Sequence, residues 1–216
     1  MEQINSVNYV EMQKQINEIK EKGNLVQSGL FQVYKEIESI GNIWTGNRCN
    51  NFIKEWNANI NSMSTYLKFL QFDLAVYLGK VAQRFSQIDE NEMGKPGYGW
   101  GSGLSEINLT DETNLRFITS DVVSFQERLT NYFTEAASGI DELLVKVKAL
   151  PWDSTSSEAF LPVFDNCSAG AREALEKIHA TLNTMIEAAI ADATTLEGQS
   201  TKEAGEFGAV PNADAE

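Results

Sequence analysis

Apolar residues recur at alternating steps of three and four along most of this 216-residue chain. Such spacing places them on one face of a helix, and the first run of them covers about nine helical turns. That run consists of Tyr9, Met12, Ile16, Ile19, Gly23, Val26, Leu30, Val33, Ile37, Ile40 and Trp44. Gly23 is its one residue that is not apolar, and we expect this glycine to weaken the helix by about 1 kcal/mol relative to alanine.

Three further runs have the same spacing and occupy residues 52–88, 122–147 and 160–196. No segment alternates with a period of two, so we expect no sheet. The runs therefore predict an all-α fold, a four-helix bundle made of two long antiparallel helical hairpins.

The breaks between the runs divide the chain into four parts. A first hairpin in residues 1–92 is followed by a Gly-rich crossover linker in 93–118 and a second hairpin in 119–198. Residues 199–216 are small and acidic, so we expect a flexible tail after Gly198. Thr155 and Glu158 predict a capping box for the fourth helix, and Pro162 predicts a kink or a later start.

The charge of the chain is unevenly distributed and excludes several classes of partner. Residues 1–98 hold 10 Lys+Arg and 11 Asp+Glu, whereas residues 99–216 hold 7 and 20. Such an acidic surface repels nucleic acid and anionic membranes. No apolar run is long enough for a membrane span, and no cleavable signal peptide is recognisable at the N-terminus. We therefore expect synthesis in the cytoplasm, no nucleic acid partner and no membrane span.

The residue types needed for catalysis or metal binding are scarce. The two cysteines, Cys49 and Cys167, form neither a disulfide framework nor a zinc-binding pattern. His179 is the single histidine, and its place between apolar helical residues predicts a boundary position. No serine or cysteine has a credible base partner, and no Gly-rich loop joins a strand to a helix. We therefore expect no enzyme, no catalytic residues, no metal and no cofactor.

Two joints between the helical runs are built alike. The segments are "WTGNRCNNF" from Trp44 and "WDSTSSEAF" from Trp152, 108 residues later. Each has a tryptophan, a small residue two positions on and a phenylalanine eight positions on, which gives the paired turn residues Trp44, Gly46, Phe52 and Trp152, Ser154, Phe160. A matched joint after each long helix indicates an internal duplication or fusion.

The joints resemble the turn of the WXG family, helical hairpins related to the early secreted antigens of type VII secretion. The first copy matches the Trp-x-Gly motif and the downstream aromatic residue, while the second has Ser154 in place of glycine. The resemblance covers residues 5–92 and about 118–198, which is most of the chain.

The resemblance also implies an export signal after the second helix of a hairpin, a tyrosine followed four residues later by Asp or Glu. Phe85 and Asp89 stand at these positions in the first copy, with phenylalanine for tyrosine. Ala193 and Glu197 are their counterparts in the second copy, a degraded signal without the aromatic residue. The other interpretation is that Phe85 belongs to the apolar run and Asp89 is an ordinary surface carboxylate.

In the family two hairpins pair antiparallel, and the length of the linker favours that arrangement within this one chain. A helix of about 33 residues is roughly 50 Å long, and the linker can extend to roughly 90 Å. We therefore expect a monomer that forms an internal pseudo-dimer, with Trp152 near Phe85 and Asp89 and with Trp44 near Ala193 and Glu197. Cys49 and Cys167 would lie toward opposite ends and stay unbonded.

The resemblance implies a non-enzymatic substrate of a type VII secretion system, or a co-secreted partner or targeting factor for an effector. Its partners would be the motor ATPase of a Gram-positive secretion system and a larger effector, and it would be secreted without a cleaved signal peptide. One alternative is a cytosolic helical adaptor that binds a partner helix and is not exported. A structural phage or surface protein is a third hypothesis.

Overall fold

The computed structural model describes residues 6–88 and 101–208, and this part of the chain is all-α. The five α-helices are α1 (Tyr9–Glu38), α2 (Asn47–Leu67), α3 (Leu74–Ile88), α4 (Thr119–Lys148) and α5 (Thr155–Gly208). A π-helical segment, Lys68–Asp73, joins α2 to α3, and a 3₁₀ turn, Ile40–Asn42, follows α1. Two short strands, β1 (Ser6–Val7) and β2 (Trp152–Asp153), pair antiparallel.

The long helices pack side by side and run antiparallel. Helix α1 lies against α4 and α3, and α5 lies against α4 and α2. Along the α1–α4 contact, Glu36 is 3.0 Å from Arg128 and Glu18 is 2.6 Å from Lys146, so the two helices run in opposite directions. These contacts are compatible with the predicted four-helix bundle.

The apolar run of α1 forms the core as predicted. Each of its residues from Met12 to Trp44 is buried, and Tyr9 is half-buried. The π-helical segment lies opposite Gly23, where a methyl group would come within 3.1 Å of the Gln71 Cα atom. Gly23 therefore permits a close backbone approach, which offsets its poor helix propensity.

The π-helical segment changes which side chains of α3 face the core. A π turn holds one residue more than an α turn, so it rotates the helix that follows. Leu78 and Ser86 are consequently buried, while Tyr77 is 38% exposed and Phe85 is half-buried. Both Tyr77 and Phe85 belong to the predicted apolar run of residues 52–88; the rotation leaves Tyr77 at the surface, whereas Phe85 still packs against the core.

Helix α5 differs from the prediction at both ends. Ser154 and Ser157 form the capping pair, because the hydroxyl oxygen of each accepts a hydrogen bond from the backbone N–H of the other. The helix continues through Pro162 and on to Gly208, past the predicted end at Gly198. Residues 194–205 are helical and exposed, so the predicted tail begins as helix, and residues 209–216 lie outside the described residues.

The described part of the predicted linker, residues 101–118, lies along the first hairpin, and we call it the strap. Asn57 accepts a hydrogen bond from the Ile107 N–H and donates one to the Ile107 carbonyl, both at 2.9 Å. Asn50 makes the same pair of bonds to Thr110 at 2.7 and 3.1 Å. The Ile107 side chain is 8% exposed. The strap is therefore an ordered, sequence-specific part of the fold.

Candidate functional site

The first joint is closed by two aromatic contacts and one glycine. Trp44 packs against Phe52 and Phe117, with ring centroids 5.7 Å apart in each pair. Gly46 precedes α2 with a φ of +100°, a conformation that side-chain-bearing residues avoid. The backbone conformation therefore explains why the motif has glycine at this position.

The second joint repeats the aromatic contact and replaces the glycine. Trp152 lies 5.7 Å from Phe160, the same separation as in the first joint. Ser154 stands where the first joint has glycine, and its hydroxyl caps α5. The two turn motifs are alike in their ring packing and different in how the following helix begins.

Each joint also pairs with the segment that leads into the other hairpin. Trp44 forms an antiparallel β-bridge with Phe117, two residues before α4, and Trp152 pairs with Val7, two residues before α1. Helices α1 and α4 are both 30 residues long and begin at residues 9 and 119. The internal repeat found in the sequence therefore extends to the contacts between the two halves.

Around Trp152, the described contacts differ from the predicted trio. Its ring neighbours are Phe160 and Tyr77, the latter at 6.2 Å. Phe85 is half-buried two turns further along α3, and Asp89 lies outside the described residues. The contact of Tyr77 with Trp152 was not predicted, because the π turn that rotates Tyr77 outward has no distinct sequence signature.

Around Trp44, a cleft of about 420 Å³ opens between the first joint, the end of the strap and α5. Ala193 lines this cleft together with Trp44, and Glu197 is exposed one turn further along α5. Two leucines on its walls are largely exposed, Leu115 by 78% and Leu196 by 62%. The cleft therefore brings residues of the first joint and of α5 together.

Charged side chains of both signs also line this cleft. Arg48 forms an ion pair with Asp192, and Glu112 lies on the rim of the same cleft. Leu196 ends the apolar run of residues 160–196, which predicts a core position, but it is largely exposed. Leu115 lies outside all four apolar runs. Leu115 has no helical periodicity around it, so its exposure depends on where the strap lies. An apolar floor with a polar rim is typical of surfaces that bind other proteins.

The cysteines and the histidine show no catalytic arrangement. Burial raises the pKa of the Cys49 thiol to about 11, so the thiol stays protonated and unreactive, and Cys49 and Cys167 are both free. His179 stacks on Phe133, and burial lowers its pKa. Among the described residues, no group of three or more His, Cys, Asp or Glu side chains is placed to hold a metal ion.

No helix among residues 6–88 and 101–208 is both long and apolar enough to cross a membrane. Comparison of the chain with protein-family models, with curated proteins and with solved structures finds no match.

Proposed function

We propose that this chain is a tandem WXG-type protein of a type VII secretion system, without enzymatic activity of its own. It is exported itself, or it accompanies a larger effector as a co-secreted partner or targeting factor. The observation that supports this proposal best is the joint that occurs twice, each tryptophan 5.7 Å from a phenylalanine eight residues on.

The proposed architecture is a four-helix bundle in which the two hairpins form a pseudo-dimer within one chain. It is supported by the reciprocal contacts of Trp44 with Phe117 and of Trp152 with Val7, since Phe117 leads into α4 and Val7 leads into α1. Because the pairing surface is used internally, we expect a monomer. Sedimentation should give the mass of one chain, and a stable dimer would argue against the pseudo-dimer.

The proposed export signal comprises Phe85 and Asp89, with Trp152 contributing to the same end of the molecule. Its support in the described residues is that Phe85 is half-buried while Ser86, next to it, occupies the core. Phe85 therefore keeps part of its surface available for the motor ATPase to bind. The degraded counterpart, Ala193 with Glu197, has no ring to offer.

The test is an immunoblot of the host's culture supernatant, with and without the motor ATPase, beside a cytosolic lysis marker. We expect the protein outside the cell only when the ATPase is active. Phe85→Ala should reduce export more than it reduces folded protein in the cell. Phe31→Ala is the matched control, since Phe31 is also half-buried but lies in α1. If both variants lose export only in step with folded protein, the signal is not at Phe85.

A second candidate function is a cytosolic helical adaptor, and the cleft beside Trp44 favours it. Leu115 and Leu196 expose apolar surface there that the internal packing does not use. An adaptor would remain in the cytosol of a host with an active secretion system. Its partner would be retained by the wild-type chain and released by Leu196→Asp, whereas Val163→Asp, on the same helix and 58% exposed before substitution, would have no effect.

A further inference from the structure

The contact between α1 and α4 is nearly symmetric, because the same kind of contact occurs twice with the two helices exchanging roles. Within these two helices, corresponding residues lie 110 positions apart, since the helices begin at residues 9 and 119. The tryptophans of the joints are 108 apart, because Trp44 follows the end of α1 at a greater distance than Trp152 follows the end of α4. A methyl group on Gly29 would lie 3.1 Å from the Ala136 Cβ atom, and one on Gly139 would lie 2.9 Å from Val26. Gly29 corresponds to Gly139 and Val26 to Ala136, so these are two copies of one contact.

Two ion pairs across this interface are related in the same way. Glu18 pairs with Lys146 at 2.6 Å, and Glu36 pairs with Arg128 at 3.0 Å. Position 18 corresponds to 128, and position 36 corresponds to 146. The charges are nevertheless opposite, because α1 carries a glutamate at both positions and α4 carries a cation at both. The hydrogen bond from Lys146 lowers the pKa of Glu18, so this pair is charged at neutral pH.

This charge arrangement discriminates between partners. If α1 packed on a second α1 with the same geometry, Glu18 would face Glu36 in two places. If α4 packed on a second α4, Arg128 would face Lys146 in two places. Close packing alone permits α1 with α4, α1 with α1 and α4 with α4, because each helix has a glycine at the contact, Gly29 in α1 and Gly139 in α4. Like charges placed against each other act as a repulsive element against the wrong partner.

We propose that Glu18, Glu36, Arg128 and Lys146 make the pairing of the two hairpins selective. The α1 face accepts a hairpin that carries cations at the positions of Arg128 and Lys146, and it rejects the α1 face of a second copy. The chain therefore closes with its own second hairpin. This proposal rests on the helix contacts alone and stands whether or not the protein is exported.

The test requires both halves to be free to choose a partner. A protease site inserted between Glu112 and Thr113, which are both exposed, allows the folded chain to be cut there. Ile107 and Thr110 then stay on the same piece as Asn57 and Asn50. Strap residues 114–118 stay with α4 and still bond to residues 42–45, a contribution that is the same in the wild type and in the charge variants. The cut protein is unfolded in denaturant and refolded, and native mass spectrometry counts the mixed pair and the two like pairs.

The decisive variant exchanges one pair of charges, Glu18→Lys with Lys146→Glu. The native contact remains an ion pair with reversed polarity. The lysine introduced at position 18 is repelled by Lys14 and Lys22 on the same helix, a small loss that is common to every pair containing α1. In the like pairs, however, the lysine introduced at position 18 faces Glu36, and the glutamate introduced at position 146 faces Arg128, so the repulsion is gone. We expect the square of the mixed-pair concentration, divided by the product of the two like-pair concentrations, to fall by about 100-fold. An unchanged ratio would overturn the proposal.

A matched control exchanges charges that do not cross the interface, Lys35→Glu with Glu38→Lys, a pair within α1. This exchange should leave the ratio of mixed to like pairs at its wild-type value. High salt should lower the wild-type ratio, because the side chains of the interfacial pairs are partly exposed.

A second measurement needs no cut and no refolding of separate pieces. In the intact chain, Glu18→Lys alone places a lysine against Lys146 and should lower the midpoint of denaturant unfolding. Adding Lys146→Glu should raise that midpoint again toward the wild-type value. If the double variant is as unstable as the sum of the two single variants, the charges are not coupled across the interface and the proposal fails.

Discussion

At the residue scale, the two joints reach the same shape by different chemistry. Gly46 begins α2 with a positive φ and no side-chain cap. Ser154 begins α5 with a hydroxyl that accepts the Ser157 N–H. A substitution that is harmless in one joint should therefore be harmful in the other, although the sequence motif aligns the two positions.

Gly46→Ala should lower the free energy of unfolding by about 1–3 kcal/mol, because a Cβ atom is strained at a φ of +100°. Denaturant titration measures this loss. Gly41→Ala is the control, since a methyl group there would make ordinary contact with Thr110 at 3.4 Å. Equal effects of the two substitutions would mean that the backbone of the first joint is not strained by a side chain.

Ser154→Ala should destabilise the second joint by about 1 kcal/mol, because it removes the cap of α5. Ser154→Gly should cost only a few tenths of a kcal/mol, since glycine is also tolerated at this position of a helix. Denaturant unfolding of the two variants side by side distinguishes the loss of a cap from a demand for glycine. A glycine variant that is more stable than wild type would contradict the role of the serine pair.

Burial protects the Cys49 thiol from alkylation. Its pKa is raised to about 11, so the reactive thiolate is scarce near pH 8 in the folded chain. We expect iodoacetamide to modify Cys49 about 100-fold more slowly in the folded chain than in urea. Peptide mapping by mass spectrometry follows the rate. Similar rates in both states would mean that the thiol is accessible.

At the scale of elements, the strap is bound through its backbone. Asn50 and Asn57 stand seven residues apart on one face of α2, and each bonds both polar groups of one strap residue. Side-chain amides can serve an extended backbone in this way because they offer one donor and one acceptor group. The groove between α1 and α2 thereby receives Ile107 as part of its core.

Asn57→Ala should destabilise the protein by about 1–3 kcal/mol, because it leaves the N–H and carbonyl of Ile107 without their partners. Hydrogen exchange of the Ile107 amide should accelerate at the same time. Asn59→Ala is the control, since Asn59 bonds only within its own helix, to Glu55. If the Ile107 amide exchanges equally fast in both variants, Asn57 does not hold the strap.

The π-helical segment sets the register of α3, and a deletion can test this. Removing Gln71 should convert the π turn to an α turn and leave the buried faces of α2 and α3 in place. Removing Asn61 from α2 instead rotates one part of the helix and should cost several kcal/mol more, as core side chains leave the interior. Thermal unfolding compares the two. A Gln71 deletion as harmful as the Asn61 deletion would contradict this account.

At the scale of the whole molecule, α5 is longer than the helices it packs against. It has 54 residues and α4 has 30, and residues 194–205 are exposed throughout. A helix without a packed face gains little stability from its own propensity, and Gly198 and Gly205 lower that propensity further. This end of α5 therefore contributes surface beside the cleft at Trp44 rather than core.

Ending the chain after Gly198 should change the free energy of unfolding by less than about 0.5 kcal/mol, because the removed side chains that the structure describes are exposed. Denaturant unfolding measures this difference. Replacing Leu182, which is buried in the same helix, by alanine should cost about 2–5 kcal/mol and serves as the comparison. A truncation as costly as Leu182→Ala would show that the end of α5 packs on the core.

The helices, the buried face of α1 and the repeated joint can be predicted from the amino-acid sequence alone. These follow from local spacing, since a helix of fixed pitch places residues three and four apart on one side. The spacing of Trp44 and Phe52, matched by Trp152 and Phe160, also leads to ring contacts in the fold. Such features can be predicted without knowing which element packs against the helix.

The register of α3, the position of the strap and the exposure of Leu196 could not be predicted from local spacing. Each of these depends on the element that packs across from it. The π turn lies opposite Gly23, the strap depends on amides of α2, and Leu196 lies where α5 extends beyond its neighbours. The same is true of Glu18 and Lys146, whose complementary charges acquire meaning only when α1 and α4 are brought together.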